Sequence, residues 1–322
     1  MSKLDVFIKQ TISFSKKQES FTLPNLRKPR KIKKIIFVGM GGSGLGGRMV
    51  VALRGALKIK RSVSLELVQD YGLPNNLSKE ESFVIITSYS GNTQETINCA
   101  KEAKKKGLFF VIISSNGKLQ KLAEKWEVPF FALNKFPSAR FSVLEQVAII
   151  ANILFYLKLS SQKLNLKISK RAIEKEINKS KRLVQKIKNH TLLIYAPEEL
   201  YFLAYDLKIR LNEDGKILTF SNVLPEAIHN EFLAVQRNKN KVEVIFLIPK
   251  KTSYIFKKHL ESIKKNFKKE GIKFHFIIVN YQNFSGVLSQ IVFNISFSYF
   301  MAKKLKRDIL ENSFLRRIKA GF

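Results

Sequence analysis

The chain has 322 residues, 45% of them hydrophobic, enough for one large or two medium buried cores. Its 58 lysines and arginines against 25 aspartates and glutamates give a formal charge of +33, and a single cysteine, Cys99, excludes an internal disulfide and a cysteine-based metal cluster. Such a charge attracts anionic metabolites, nucleic acid or anionic membrane, but the lysines are scattered over many amphipathic segments, so they read as basic background before a dedicated nucleic-acid surface.

The opening residues, MSKLD, are polar, and the sequence shows neither a signal peptide nor an apolar run of membrane-spanning length; a soluble, cytoplasmic protein is expected. An initial helix and a linker, LPNLRKPRK, fill residues 1–30. Short β-branched or aromatic runs then alternate with amphipathic helices. The pattern predicts strands at 34–38, 63–68, 83–88, 108–114 and 129–133, with helices at 46–57, 93–106, 118–126 and 142–157. Cys99 falls on the second of these helices as core filler. Residues 158–190 read as a charged helical connector with a break near SSQKLN. A second series follows, with strands at 191–195, 216–220, 242–248 and 273–279, and helices at 200–212, 225–235, 253–270 and 288–305; Pro225 stands in the first turn of its helix. Strands alternating with helices argue for parallel sheets covered on both faces. The expected organisation is an α/β domain over 1–157, the connector, and a second α/β domain over 191–322.

Two loops carry chemistry, and both lie in the first half. GMGGSGLGG, residues 39–47, joins a strand to a helix. Its glycines let backbone N–H groups converge on an anion, and the helix start adds its positive end. It is not a Walker loop, because Arg48-Met49 stands where Lys-Ser/Thr is required. The spacing Gly39-x-Gly41-x-x-Gly44 also satisfies the dinucleotide pattern, and Asp70 is available for a ribose, so a nicotinamide cofactor is a rival reading. The second loop is the SYSGNT of Ser88–Thr93. Three hydroxyls surround a turn and a helix start, and Thr93 can both cap that helix and, with Ser88 and Ser90, bind a phosphate. In a doubly wound sheet both loops open onto one crevice.

GMGGSGLGG, QDYGLP and TSYSGNTQET together resemble a sugar isomerase (SIS) domain, and most closely the archaeal-type bifunctional phosphoglucose/phosphomannose isomerases. The likeness spans nearly the whole chain. It implies two SIS domains of flavodoxin-like plan, a hexose 6-phosphate substrate, no metal and no nucleotide cofactor, and a homodimer with shared active sites. On it, Gly42, Ser43, Ser88, Ser90 and Thr93 fall on phosphate-binding positions. Glu213, in RLNEDGK, takes the place of the proton-shuttling glutamate; by itself it reads as an ordinary acid at a helix end, with Asp214 as its neighbour and competitor. A carboxylate there is electrostatically unfavourable, which hints at another purpose. His229, in LPEAIHNEF, matches the histidine that assists ring opening from the other subunit. His190, His259 and His275 have no motif around them. Arg140, in NKFPSAR, matches an arginine that steadies the enediolate, and Lys319, in FLRRIKAGF, matches a lysine that reaches the sugar; Lys306, Arg316 and Arg317 compete for that role, and Asp308 is followed by Ile309 where the family has proline.

The expected activity is therefore an aldose–ketose isomerase acting on glucose 6-phosphate, and on mannose 6-phosphate too. The alternatives are a nicotinamide-dependent oxidoreductase, a sugar-phosphate-sensing regulator that binds nucleic acid without turnover, and an aminosugar isomerase half.

Overall fold

The structure, a computed structural model, describes residues 3–17, 31–188 and 191–320. The expected linker over 23–30 and His190 lie outside the described residues. The chain divides into two compact units: Met1–Leu166 together with Ser313–Phe322, and Lys167–Asn312.

The first unit contains a five-stranded sheet, all parallel, built from β1 (Lys34–Val38), β2 (Ser64–Val68), β3 (Ser82–Ser88), β4 (Phe109–Ser114) and β5 (Phe130–Ala132) in the order β2-β1-β3-β4-β5. β3 is SFVIITS with every residue buried, as expected of a central strand covered on both faces. Its helices are α1 (Lys3–Lys17), α2 (Leu45–Ala52), α3 (Gln94–Lys105), α4 (Lys118–Trp126) and α5 (Val143–Tyr156), with α12 (Ser313–Ala320) from the end of the chain. One core layer joins Ile36, Val84, Ile86 and Ile112 of the strands to Ile97, Cys99 and Ala100 of α3. Each such aliphatic side chain contributes about 1.5–3 kcal/mol by leaving water. The Cys99 thiol is fully buried, and that burial pushes its pKa from 9.0 up to about 12. It is core filler, as its helical position predicts.

The second unit contains a four-stranded parallel sheet of β6 (Thr191–Pro197), β7 (Thr219–Leu224), β8 (Val242–Pro249) and β9 (Phe274–Val279) in the order β7-β6-β8-β9. Its helices are α6 (Lys170–Lys186), α7 (Tyr201–Glu213), α8 (Glu226–Asn230), α9 (Phe232–Arg237), α10 (Tyr254–Glu270) and α11 (Phe284–Lys304). The caps are legible in the sequence: Ser169, Ser253 and Asn283 each accept a backbone N–H three residues on, starting α6, α10 and α11.

Several expectations need correction. An apolar helix of membrane-spanning length does exist: α11 has 21 residues with a mean hydropathy of 1.2, and 67% of that window is buried inside the fold. It is largely apolar because α6 and α7 pack against it, and its buried polar residues, such as Asn294 and Ser298, bond to Asp206 and Asp214 within the fold. Within the 158–190 segment expected as a helical connector, α6 is helical and packs along α11. β7 begins at Thr219, three residues later than expected, because the chain turns at 214–215 and runs through 216–218 without regular structure; the Asn212 side chain then pairs with both the N–H and the C=O of Thr219. The single helix expected over 225–235 is two, α8 and α9. They are interrupted at Glu231, whose carboxylate turns inward to receive the Tyr195 hydroxyl at 2.6 Å and the Asn222 amide. The stretch around 313–320 received no element from its sequence and is helical.

Candidate active site

In the first sheet β1 lies between β2 and β3. The chain therefore reverses direction across the β1/β3 gap, where loops leaving the two strand ends part and leave a crevice. The glycine loop leaves β1 there and the hydroxyl loop leaves β3.

The two loops are joined directly. The Tyr89 backbone N–H donates to the Ser43 Oγ at 2.9 Å. Ser43 sits at the end of a 3-10 turn, Gly41–Ser43, closed by Ser43 N to Met40 O at 2.9 Å and Gly44 N to Gly41 O at 3.1 Å. Gly42 is needed for a close approach: a Cβ there would lie 2.7 Å from the Arg140 backbone nitrogen. The residues 139–141 form a second 3-10 turn, so Arg140 stands beside the glycine loop. Its side chain is buried, with the guanidinium 5.5 Å from the Phe141 ring centre.

In the hydroxyl loop, Ser88 is buried and donates to the Thr93 Oγ1 at 3.2 Å, while Ser90 is exposed and receives the Asn92 N–H at 3.3 Å. Thr93 occupies the N-cap position of α3, yet its hydroxyl makes no capping bond. The capping half of the sequence expectation thus fails, and the first N–H groups of α3 keep their donors without a side-chain cap, which suits an anion. Gly91 has φ +64, and a Cβ there would stand 1.7 Å from the Asn116 carbonyl oxygen. Tyr89 braces the loop: its hydroxyl donates to Phe136 O and accepts from Phe136 N, both at 2.6 Å. Burial raises the pKa of that phenol.

The sequence reading missed the pair that fixes these loops. Glu145 and Gln146 interrupt the start of the mostly apolar α5, and both are fully buried. Gln146 receives the Gly46 N–H at 3.1 Å and donates to Gly42 O at 3.1 Å and Ser142 Oγ at 2.8 Å. Glu145 receives the Asn134 N–H at 3.1 Å and the Asn134 amide, holding the segment that leads to Arg140. Two adjacent polar residues in an apolar helix were the available signal, since buried polar groups demand partners.

The dinucleotide reading meets an obstruction. The space between the glycine loop and the end of β2 is closed by Gln69, whose amide contacts Gly39 O at 3.5 Å and receives the Arg48 guanidinium at 2.9 Å. The cavity left there, lined by Gly39, Ser43, Gly44, Gly47 and Gln69, is ≈ 10 Å³, room for one water rather than a ribose. Asp70 is exposed and its carboxylate receives the Tyr71 N–H at 2.7 Å.

The remaining predicted residues lie elsewhere in the chain. Glu213 ends α7 in the second unit and is half-buried; Asp214 is fully buried and receives the Ser298 hydroxyl at 2.6 Å. Of these neighbouring acids, Asp214 is the more deeply buried, its carboxylate committed to Ser298, while Glu213 is partly exposed. His229 is exposed on α8. Lys319 falls on α12, and its side chain lies outside the described residues. No group of three or more potential metal-ligating side chains occurs among the described residues.

The bacterial phospho-glucose isomerase C-terminal SIS domain matches residues 176–321. A crystal structure of a hypothetical protein from Thermus thermophilus superposes with a TM-score of 0.70 at 13% identity, covering 98% of this chain and 88% of that one. Both units are SIS-type domains. Their sheet orders agree with that assignment, the first domain showing the flavodoxin-like 2-1-3-4-5 arrangement in full. In sequence the chain resembles the bifunctional phosphoglucose/phosphomannose isomerases. It is 29% identical over 240 residues to that of Thermoplasma volcanium, covering 73% of this chain and 74% of the other. It is 28% identical over 244 residues to that of Aquifex aeolicus, covering 74% of each. The two joined loops and Arg140 belong to the N-terminal SIS domain; Glu213 and His229 belong to the C-terminal one.

Proposed function

We propose that this protein interconverts glucose 6-phosphate and mannose 6-phosphate with fructose 6-phosphate. The observation that carries the reading is the 2.9 Å bond from Tyr89 N–H to Ser43 Oγ, which joins the glycine and hydroxyl loops at the switch point of the first sheet. A phosphate monoester there meets hydroxyls from Ser43, Ser88, Ser90 and Thr93, the backbone around Gly42 and the start of α3. Hydroxyls and amides hold a small dianion without a permanent cationic clamp.

The chemistry moves one proton between C2 and C1 of the open-chain sugar. Glu213 takes the C2 proton of the aldose, the C2 electron pair closes the enediolate as the C1 carbonyl opens, and the proton returns at C1 while one oxygen proton exchanges places. Arg140 suits the paired oxygens of that intermediate, since its planar fork presents two donors in fixed geometry. His229 and Lys319 serve ring opening. The exposure of His229 on α8 supports a role completed by a second copy of the chain, and a homodimer is part of the proposal. Glucose and mannose 6-phosphates differ only in configuration at C2, which the enediolate loses, so one base serves both when the enediol rotates to present either face.

The test is a coupled assay of the purified protein on both aldose phosphates, repeated with Glu213→Gln. Removing a general base lowers kcat by about a hundredfold or more. Turnover of neither sugar sinks the function, and full activity in Glu213→Gln sinks the assignment of the base.

A further inference from the structure

Lys216 is not among the residues so far given a role, yet its ammonium lies where three segments of backbone meet. α7 ends at Glu213, and Asp214 N closes its last turn on Arg210 O at 2.6 Å. The chain then bends through Gly215 and Lys216, and Lys216 has φ +49, in the left-handed region that disfavours side chains. In that conformation Nζ returns to the helix end. It lies 2.9 Å from Glu213 O, 2.5 Å from Asp308 O and 3.5 Å from Ile309 O. An ammonium has three donors and here finds three carbonyl oxygens. A second cation covers the same bend: the Arg307 guanidinium donates to Gly215 O at 2.9 Å and to Lys216 O. From the inner side, Ser298 of α11 holds the Asp214 carboxylate, and Asn212 is fastened to Thr219.

We propose that Lys216 is a positioning residue for the proton-transfer step, its ammonium fixing the turn that carries Glu213 and tying it to the backbone at 308–309. This rests on Glu213 being the base. Two physical facts argue beyond simple helix capping. A helix C-terminus presents unpaired carbonyls and a negative potential, where a carboxylate is disfavoured; charged donors on the carbonyls of residues 213, 215 and 216 offset that. Moreover, a cap needs only the carbonyls of its own helix, whereas Lys216 also binds Asp308 O and Ile309 O, about 92 residues away in sequence. Those residues lead directly into α12, the helix that bears Lys319. The clamp therefore joins the turn that carries Glu213 to a stretch of backbone far along the chain within the same unit.

The test is Lys216→Met, which keeps the length and removes the donors, assayed on fructose 6-phosphate beside Lys216→Arg and Glu213→Gln. A base displaced by about 1 Å costs on the order of a hundredfold in rate. We expect kcat to fall at least about thirtyfold in Lys216→Met while KM stays within about threefold, because the phosphate loops at 39–47 and 88–93 are untouched. Lys216→Arg, which restores a cation, is expected to recover to within about fivefold of wild type. Folding is monitored by far-UV circular dichroism and melting. A folded Lys216→Met with kcat within twofold of wild type, or with the loss confined to KM, overturns the proposal. If Lys216→Met does not fold, Arg307→Met takes its place: the same kcat-only loss supports the clamp, and wild-type kcat refutes it. Glu213→Gln separates the two levels. If it stays active, the reading of Glu213 falls and the clamp's role with it; if it is inactive while folded Lys216 and Arg307 variants turn over normally, the clamp alone falls.

Discussion

Replacing Gln146 with leucine probes the anion loop from beneath, without touching any group that meets substrate. The side chain is fully buried, and its amide receives the Gly46 N–H and donates to Gly42 O and Ser142 Oγ. Leucine is close in volume, so no large cavity opens. The Ser142 hydroxyl keeps its own acceptor, Ala139 O at 2.7 Å. The Gly46 N–H and Gly42 C=O lose theirs in a site from which water is excluded. At about 1–3 kcal/mol for each of two orphaned groups, less about 1 kcal/mol for the added apolar surface, Gln146→Leu destabilises by about 1–5 kcal/mol. For a domain of this size a mid-range loss of about 3 kcal/mol lowers Tm by about 6–12 °C. The loop also loses the bonds that set Gly42 and Gly46, so KM for the sugar phosphate rises about tenfold or more, with a smaller change in kcat. Differential scanning calorimetry and the coupled assay read the two effects. A Tm within about 2 °C of wild type together with an unchanged KM would refute the claim that Gln146 holds the anion loop.

Further outcomes follow from the same site. Gly91→Ala places a methyl group 1.7 Å from Asn116 O at a left-handed φ, so the hydroxyl loop must open; we expect loss of measurable phosphate binding by calorimetric titration. Tyr89→Phe leaves the Phe136 N–H and C=O without the phenol that bridges them and lowers stability by about 1–2 kcal/mol in urea unfolding. Cys99 makes the fold sensitive to alkali. Its thiol is raised from 9.0 to about 12 by burial, so the unfolded chain releases that proton first and stability falls as pH rises from 9 towards 12. Cys99→Ala flattens the fall in Tm between about pH 9 and 10, below the range where the buried tyrosines ionise; an identical slope in the two proteins would contradict this.

The strand–helix alternation was legible because buried parallel strands write themselves as short β-branched runs and their covering helices as periodic ones; β1, β3 and β4 match that reading closely. The glycine and hydroxyl loops were legible as tight, strained turns for a related reason. A backbone that packs against Arg140 N, as Gly42 does, or turns through a positive φ, as Gly91 does, tolerates almost no other residue there. α11 was legible as a helix over 288–305, but its start was not: it begins at Phe284, where the Asn283 side chain accepts the Gly286 N–H. What the sequence by itself determined was local chemistry, namely which loops can face a phosphate and which acids and bases stand near the ends of elements. Only the tertiary structure decided that Ser43 and Tyr89 meet, that Gln146 and Glu145 reach back to loops about ten to a hundred residues distant, that Asp214 is buried against Ser298, and that Lys216 grips the backbone at 308–309. Those contacts join residues far apart in the chain, and their partners are chosen by the path of the backbone rather than by anything written beside them.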